Sequence, residues 1–507
     1  MLFNSYAFIF VYLPVVFFGM FLLGHYSRTA AAAWLAVASL VFYGLWDARF
    51  VTVLLASIVV NYGIAYRISA ARDAARQQVK PAFSPKTWLV FGLAVNLAAL
   101  AYFKYVNFFL TVGANALGLQ WSAMHIVLPL GISFFTFTQI AFLVDVYRGV
   151  AREYRFVHYL LFITYFPHLI AGPVIHHKQM MPQFADAKTY RINMEHVAVG
   201  ITIFVLGLAK KVLIADELAG YVTTVFDAAR NGQTLTMFEA WVGALGYTFQ
   251  LYFDFSGYCD MAIGLSLMFN IRLPMNFNSP YKAVNIIEFW RRWHITLSTF
   301  LRDYLYFSLG GNRRGTLRRY INLFATMLLG GLWHGAGWTF VLWGGLHGLY
   351  LVVNHAWRAL AAYLHWHPSS IVWRLLSGSL TFLCVVVAWV FFRADSVEAA
   401  LVVLDAMRGN AAGIPAAWVP TREALKIVIG CGVLVWLFPN TRQMLLRYRP
   451  TWDDLAGDTS ADSARPGWTH RLLLWRPGVL HAVAIAVVFI WSVDGLTKVS
   501  QFLYFTF

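Results

Sequence analysis

His334 closes an uncharged apolar run, Ile321 to Trp333, inside Gly330-Gly331-Leu332-Trp333-His334-Gly335-Ala336-Gly337-Trp338. An ionisable group in such a setting is costly, and groups of this kind ordinarily face an interior cavity and mark function. The flanking glycines remove side chains and free the backbone, leaving room for a substrate to approach. The alternative is a histidine hydrogen-bonded to a neighbouring helix. A single imidazole here suits general-base removal of a proton from a hydroxyl or thiol that attacks an activated acyl group.

A second histidine, His294, lies upstream. Ile286, Trp290, Trp293, Leu297, Phe300 and Tyr304 recur at alternating spacings of four and three, which predicts one amphipathic helix. His294, Ser298 and Arg302 share another face of it, with Arg291 one turn before His294, and Glu288 and Arg292 are spaced to pair. Such a helix is too polar to span and suits the cytoplasmic interface. There Arg291 and Arg302 either anchor it or bind the phosphates of an anionic donor such as a coenzyme A thioester. His294 is expected to orient donor or acceptor. His347, between Gly344 and Gly348, reads as a helix-packing residue. The segment 501–507 is aromatic, and Tyr504 is its one phenol. It reads either as an interfacial anchor or as a covalent nucleophile that relays an acyl group.

Other chemistries lack their residues. HExxH, GxSxG, Walker A and GxGxxG patterns do not occur. Cys259, Cys384 and Cys431 form no CxxC pair, so neither a disulfide framework nor a metal site is expected.

The elements that must hold these residues are membrane helices. Of 507 residues, 60% are hydrophobic and only 12% charged, about half the charged share of a soluble domain. That excludes a cytosolic globular enzyme, a disordered scaffold and a coiled coil, and predicts an all-α polytopic membrane protein forming one domain over 1–507. The net charge of +16 is spread thinly among apolar segments, which argues for cytoplasmic loops and not for nucleic acid. At about 20 apolar residues per crossing, candidate spans are 6–24, 31–46, 50–68, 87–110, 126–146, 157–175, 196–214, 237–253, 255–270, 320–333, 337–354, 371–392, 424–439 and 478–495. Basic residues in 67–86, 148–155 and 442–476 place those loops in the cytoplasm and both termini outside.

The runs YFDFSGYCDMAIGL from Tyr252, NFNSPY, EFWRRWHITLSTFLRDYLYFSLGGNRRG and GLWHGAGWTFVLWGGLHG resemble the membrane-bound O-acyltransferase superfamily, in its bacterial alginate O-acetylation branch. AGPVIHHKQMMPQF at 171–184, AWVFFRA at 388–394 and the closing FLYFTF extend the likeness over nearly the whole chain. The resemblance implies a many-helix fold with re-entrant or interfacial helices around a transmembrane tunnel. It places the family's two characteristic histidines on His294 and His334, the latter the usual catalytic candidate. It further implies no bound cofactor, acetyl-coenzyme A as donor, and acetylation of a secreted polysaccharide from the bacterial inner membrane. Its expected partners are an extracytoplasmic SGNH or esterase-like acetyltransferase, the polysaccharide biosynthesis machinery and membrane lipid. Two alternatives stay open: D-alanyl or other acyl transfer to a cell-wall polymer, and a non-catalytic polysaccharide export subunit.

Overall fold

The computed structural model describes residues 1–151, 155–366, 368–410, 421–455, 473–497 and 502–503. Every regular element among them is helical, as expected where lipid offers the backbone no hydrogen bonds. Five helices are long and apolar enough to cross a membrane: Phe8–Tyr26, Arg49–Arg76, Pro85–Ala116, Met194–Arg230 and Ile371–Arg393. The bent pair Arg422–Leu437 and Thr441–Tyr448 makes a sixth if it is one span. The exposed side chains of the Ile371–Arg393 helix include Ile371, Val372, Leu375, Leu376 and Leu380, a face suited to lipid. The chain is a multi-pass membrane protein.

Several spans differ from the sequence expectation, each for a physical reason. The segments 237–253 and 255–270 are one helix, Met237–Met268. Asp254 does not interrupt it, because Lys211 neutralises its carboxylate at 2.7 Å. The 157–175 span is instead two short helices, Phe156–Thr164 and Phe166–Leu169. Pro167 in the first turn of the second lacks the N–H that a continuous helix needs. The 31–46 and 478–495 segments form Arg28–Gly44 and Val479–Asp494, which are apolar but short. The polar stretch from Arg67 is helical as far as Arg76, and Arg72 donates from Nη1 to the Val146 carbonyl at 2.8 Å.

The described residues fall into two compact units. The first comprises Met1–Val205, Tyr258–Pro274 and a stretch from Arg447. Its core is aromatic: Phe3 stacks on Tyr258 at 4.8 Å, and Phe8, Tyr12, Phe42 and Phe166 pack about it. Three buried amides tie its helices, Asn96 Nδ2 donating to Asn61 Oδ1 at 2.6 Å and Asn61 Nδ2 to Gln139 Oε1.

The second unit comprises Leu206–Gly257, Met275–Leu446 and the described residues from 473 onward. The Met194–Arg230 helix widens into a π-type turn over Lys210–Ala215, where one extra residue is accommodated. Two consecutive helices, Thr316–His334 and Trp338–Tyr363, cross at glycine. A Cβ on Gly331 would lie 2.3 Å from the Phe340 carbonyl oxygen, and one on Gly344 would lie 2.5 Å from that of Met327. Only hydrogen at both positions permits so close a crossing.

Candidate active site

The local sequence breaks the expected 286–304 helix at His294. Asn285 caps its start by accepting from the Glu288 N–H, Glu288 reaches back to the Val284 N–H, and Glu288 pairs with Arg292 at 2.7 Å. The helix then ends at Arg292, and a second one begins at Ile295. His294 between them has φ +44°, a left-handed conformation uncommon for a residue with a side chain. Two backbone bonds hold it there: Asn278 N–H to the Arg292 carbonyl and Ile295 N–H to the Asn276 carbonyl, both 2.9 Å. Four of the six predicted stripe residues are nonetheless buried, Ile286, Trp293, Leu297 and Phe300 all at 5% exposure or less, while Trp290 and Tyr304 are half-buried. The expected interfacial helix is therefore two buried-sided pieces, turned against each other at the histidine.

That kink carries the His294 ring inward, where it is 1% exposed. Its Nδ1 lies 3.0 Å from Asn276 Oδ1. The same Asn276 atom is met by the Thr296 backbone N–H at 3.3 Å and the Thr296 hydroxyl at 3.0 Å. A backbone N–H can only donate, so that atom is the amide oxygen and His294 Nδ1 donates to it. The proton thus sits on Nδ1 and the lone pair on Nε2. Burial pushes the imidazole down to about 3, so it is neutral at physiological pH.

His334 ends the Thr316–His334 helix and is 6% exposed. Its ring lies 4.9 Å from Trp333, 5.1 Å from Trp343 and 5.2 Å from Phe392. The His294 ring is 6.5 Å away. The two histidines named from the sequence therefore share one aromatic cluster, with Trp333 against both rings. The glycines near His334 play a different part from the one expected. Gly331 and Gly335 make room for Phe340, whose ring would meet a Cβ on Gly335 at 2.1 Å. The space they free is filled by protein.

His347 is wholly buried, as a packing residue should be. It stacks on Phe289 at 6.0 Å and meets Trp290 and Trp343 at 5.0 and 4.9 Å. Neither of its ring nitrogens has a hydrogen-bond partner among the described residues. Arg291 is exposed. Arg302 is also exposed, its guanidinium 2.7 Å from the Asp303 carboxylate. Tyr504 lies outside the described residues.

A cavity lies elsewhere in this unit. A cavity of about 770 Å³ is lined by Lys210, Tyr252, Ser279, Asn440, Thr441 and Trp491 among others, but by neither His294 nor His334. The segment 276–279 links the two places. Asn276 at one end bonds His294, while Asn440 Nδ2 donates to Asn278 Oδ1 at 2.9 Å and to Ser279 Oγ at 3.0 Å at the other.

Sequence reasoning passed over Asn276, although NFNSPY places three polar residues in what proves a buried stretch. It also passed over Asp254, a single charge within an apolar run and so the same signal that singled out His334, and over Lys211, the second lysine of a pair that follows an apolar helix.

Comparison with known proteins bears on this pair of histidines. A family model described as MBOAT, membrane-bound O-acyltransferase family, matches residues 147–391, which include both histidines. The chain is 45% identical to a Helicobacter pylori protein named peptidoglycan O-acetyltransferase, over 81% of this chain and 80% of that one. It is 40% identical to a Pseudomonas putida protein named probable alginate O-acetylase AlgI, over 100% of both chains. A Bacillus subtilis protein named teichoic acid D-alanyltransferase is 28% identical over 50% of this chain and 65% of that one.

Proposed function

The chain belongs to the membrane-bound O-acyltransferase family and is an acyltransferase, and from that premise we propose that it moves acetyl groups from a cytoplasmic donor across the bacterial inner membrane for O-acetylation of a secreted, alginate-type polysaccharide. The donor in this reading is acetyl-coenzyme A, drawn in by Arg291 and Arg302. His334 is the general base. It takes the proton of an attacking hydroxyl as that oxygen closes on the thioester carbonyl. The tetrahedral intermediate then expels the coenzyme A thiolate, which recovers the proton from the imidazolium. His294, held as the neutral Nδ1–H tautomer by Asn276, orients the reacting group through Nε2. The burial of these two imidazoles in one aromatic cluster, 6.5 Å apart, is the observation that carries the reading.

Tyr504 is the acceptor on the far side. Its phenol oxygen forms an acetyl ester, which an extracytoplasmic SGNH or esterase-like acetyltransferase takes on to the glycan produced by the polysaccharide machinery. Both termini are extracytoplasmic in this arrangement, as the basic loops suggest.

A second acceptor, peptidoglycan, is supported by the Helicobacter pylori relative, which is named a peptidoglycan O-acetyltransferase. Ester-bound acetate measured separately on exopolysaccharide and on peptidoglycan distinguishes them. His334→Ala should lower acetylation ~100-fold or more at equal protein level. Near-normal acetylation in that variant overturns the mechanism. Normal acetylation in Tyr504→Phe removes the relay and leaves an aromatic anchor.

A further inference from the structure

A closed charge cluster lies in the second unit. Lys211 Nζ, from the wide turn Lys210–Ala215, bonds Asp216 Oδ1 at 2.6 Å and Asp254 Oδ1 at 2.7 Å. The side chains are 3%, 8% and 2% exposed. Among the described residues one ammonium group faces two carboxylates, and carboxylates so deeply buried require further hydrogen-bond donors. One donor comes from far along the chain. The Leu503 backbone N–H is 3.1 Å from Asp254 Oδ2. The preceding residue, Phe502, is 2% exposed and lies 6.0 Å from Phe255. Phe255 in turn meets the His294 ring edge-on at 4.9 Å. Residues 502 and 503 are thus fixed at two points, by an ionised hydrogen bond and by an aromatic contact one ring away from His294.

We infer that the Lys211–Asp216–Asp254 cluster is a docking site for the 502–503 segment, and that Asp254 is a positioning residue for acyl transfer, fixing the backbone immediately ahead of Tyr504. The docking stands on the geometry alone, and its catalytic consequence rests on the relay reading above. Lys211 keeps Asp254 ionised, and an ionised acceptor binds an N–H more strongly than a neutral one. Asp216 holds Lys211 from the other side, so the acceptor keeps its place whether or not the segment is bound. A site of this kind lets a segment leave and return to one register, which an acyl carrier that meets a donor and then an external partner requires.

The test uses the full chain in nanodiscs with three variants. Leu503→Pro removes the donated N–H and leaves the three charges untouched. Asp254→Asn keeps the volume and removes the charge. Tyr504→Phe reports on the relay itself. Hydrogen–deuterium exchange reads the 502–503 amides, and mass spectrometry reads acetyl occupancy of Tyr504 after one turnover. In Asp254→Asn these amides should exchange at least tenfold faster, with protection of the Met237–Met268 helix unchanged. Acetyl occupancy should fall about tenfold or more in both Asp254→Asn and Leu503→Pro, the loss expected for one charged hydrogen bond. Unchanged exchange in Asp254→Asn overturns the docking. Faster exchange with wild-type occupancy in Asp254→Asn and Leu503→Pro, alongside acetylation lost in Tyr504→Phe, overturns the positioning role. Faster exchange with normal glycan acetylation in all three variants supports docking and overturns the relay. Leu503→Pro keeps the test decisive should Asp254→Asn fail to fold.

Discussion

Replacing Asn276 with alanine separates the tautomer of His294 from its mere presence. Asn276 is wholly buried, and its Oδ1 accepts from His294 Nδ1, the Thr296 N–H and the Thr296 hydroxyl. Alanine removes the acceptor for all of them. The hydroxyl can rotate to another oxygen and the imidazole can move its proton to Nε2, but the backbone N–H has no such escape. Leaving it unmade costs about 1–3 kcal/mol, and the lost volume adds to that. A total of ~2–4 kcal/mol fits within a typical stability of about 5–15 kcal/mol, so the protein should fold with a lowered melting temperature. The catalytic effect is larger in kind. With the proton on Nε2, the nitrogen available to a reacting group becomes a donor, and acetyl transfer should fall ~100-fold, the scale of a lost acid–base group. Asn276→Asp keeps an acceptor opposite Nδ1 and should retain more activity than Asn276→Ala. Single-turnover acetyl transfer, with thermal unfolding followed in parallel, measures both effects. Wild-type turnover in Asn276→Ala, or indistinguishable rates in the two variants, would refute the assignment of Nε2.

Three further outcomes follow from the geometry of this unit. Gly331→Ala drives a Cβ to 2.3 Å from a backbone oxygen, whereas Gly330→Ala meets only the Leu301 Cδ1 at 3.2 Å; thermal unfolding should show the first destabilised by about 1–3 kcal/mol and the second much less. Arg302→Gln breaks the pair with Asp303 and should raise KM for the donor with kcat little changed, most clearly at low salt, and Arg291→Gln should act likewise. Burial holds His294 at about 3 against about 6.5 in the unfolded chain. The unfolded state therefore binds the proton first, and this residue's contribution is complete above pH 6.5 and lost as pH falls toward 3. It amounts to roughly 2 kcal/mol between pH 7 and pH 5, and denaturant unfolding of His294→Gln should show that part of the slope gone.

The apolar composition made the helical membrane fold legible, and an ionisable residue in an apolar run made His334 legible. The stripe from Ile286 to Tyr304 identified four of the buried residues but missed Phe289, and it did not reveal that His294 interrupts their helix. Periodicity reports which side chains face the core, and a single left-handed residue can preserve that facing while breaking the hydrogen-bond ladder. Asp254 was read as the gap between two spans because its neutralising partner, Lys211, comes from another stretch of the chain. The glycines around His334 announced missing side chains, yet whether the vacated space holds substrate or Phe340 depends on a neighbour that glycine itself cannot reveal.

The wide turn at Lys210–Ala215 sets a limit on how this chain can drift over evolutionary time. A turn of that type takes up one residue more than an α-helix does. Losing a residue there would restore the regular spiral at little local cost, but it would swing the flanking side chains by about 100° relative to one another. Lys211 lies within that turn and Asp216 just after it, so Asp216 and Asp254 would then no longer converge on the Lys211 ammonium. Substitutions elsewhere along the helix change one contact at a time, whereas a one-residue deletion here dismantles the whole cluster at once. Descendants of this sequence should therefore accept point changes in this stretch far more readily than changes in its length.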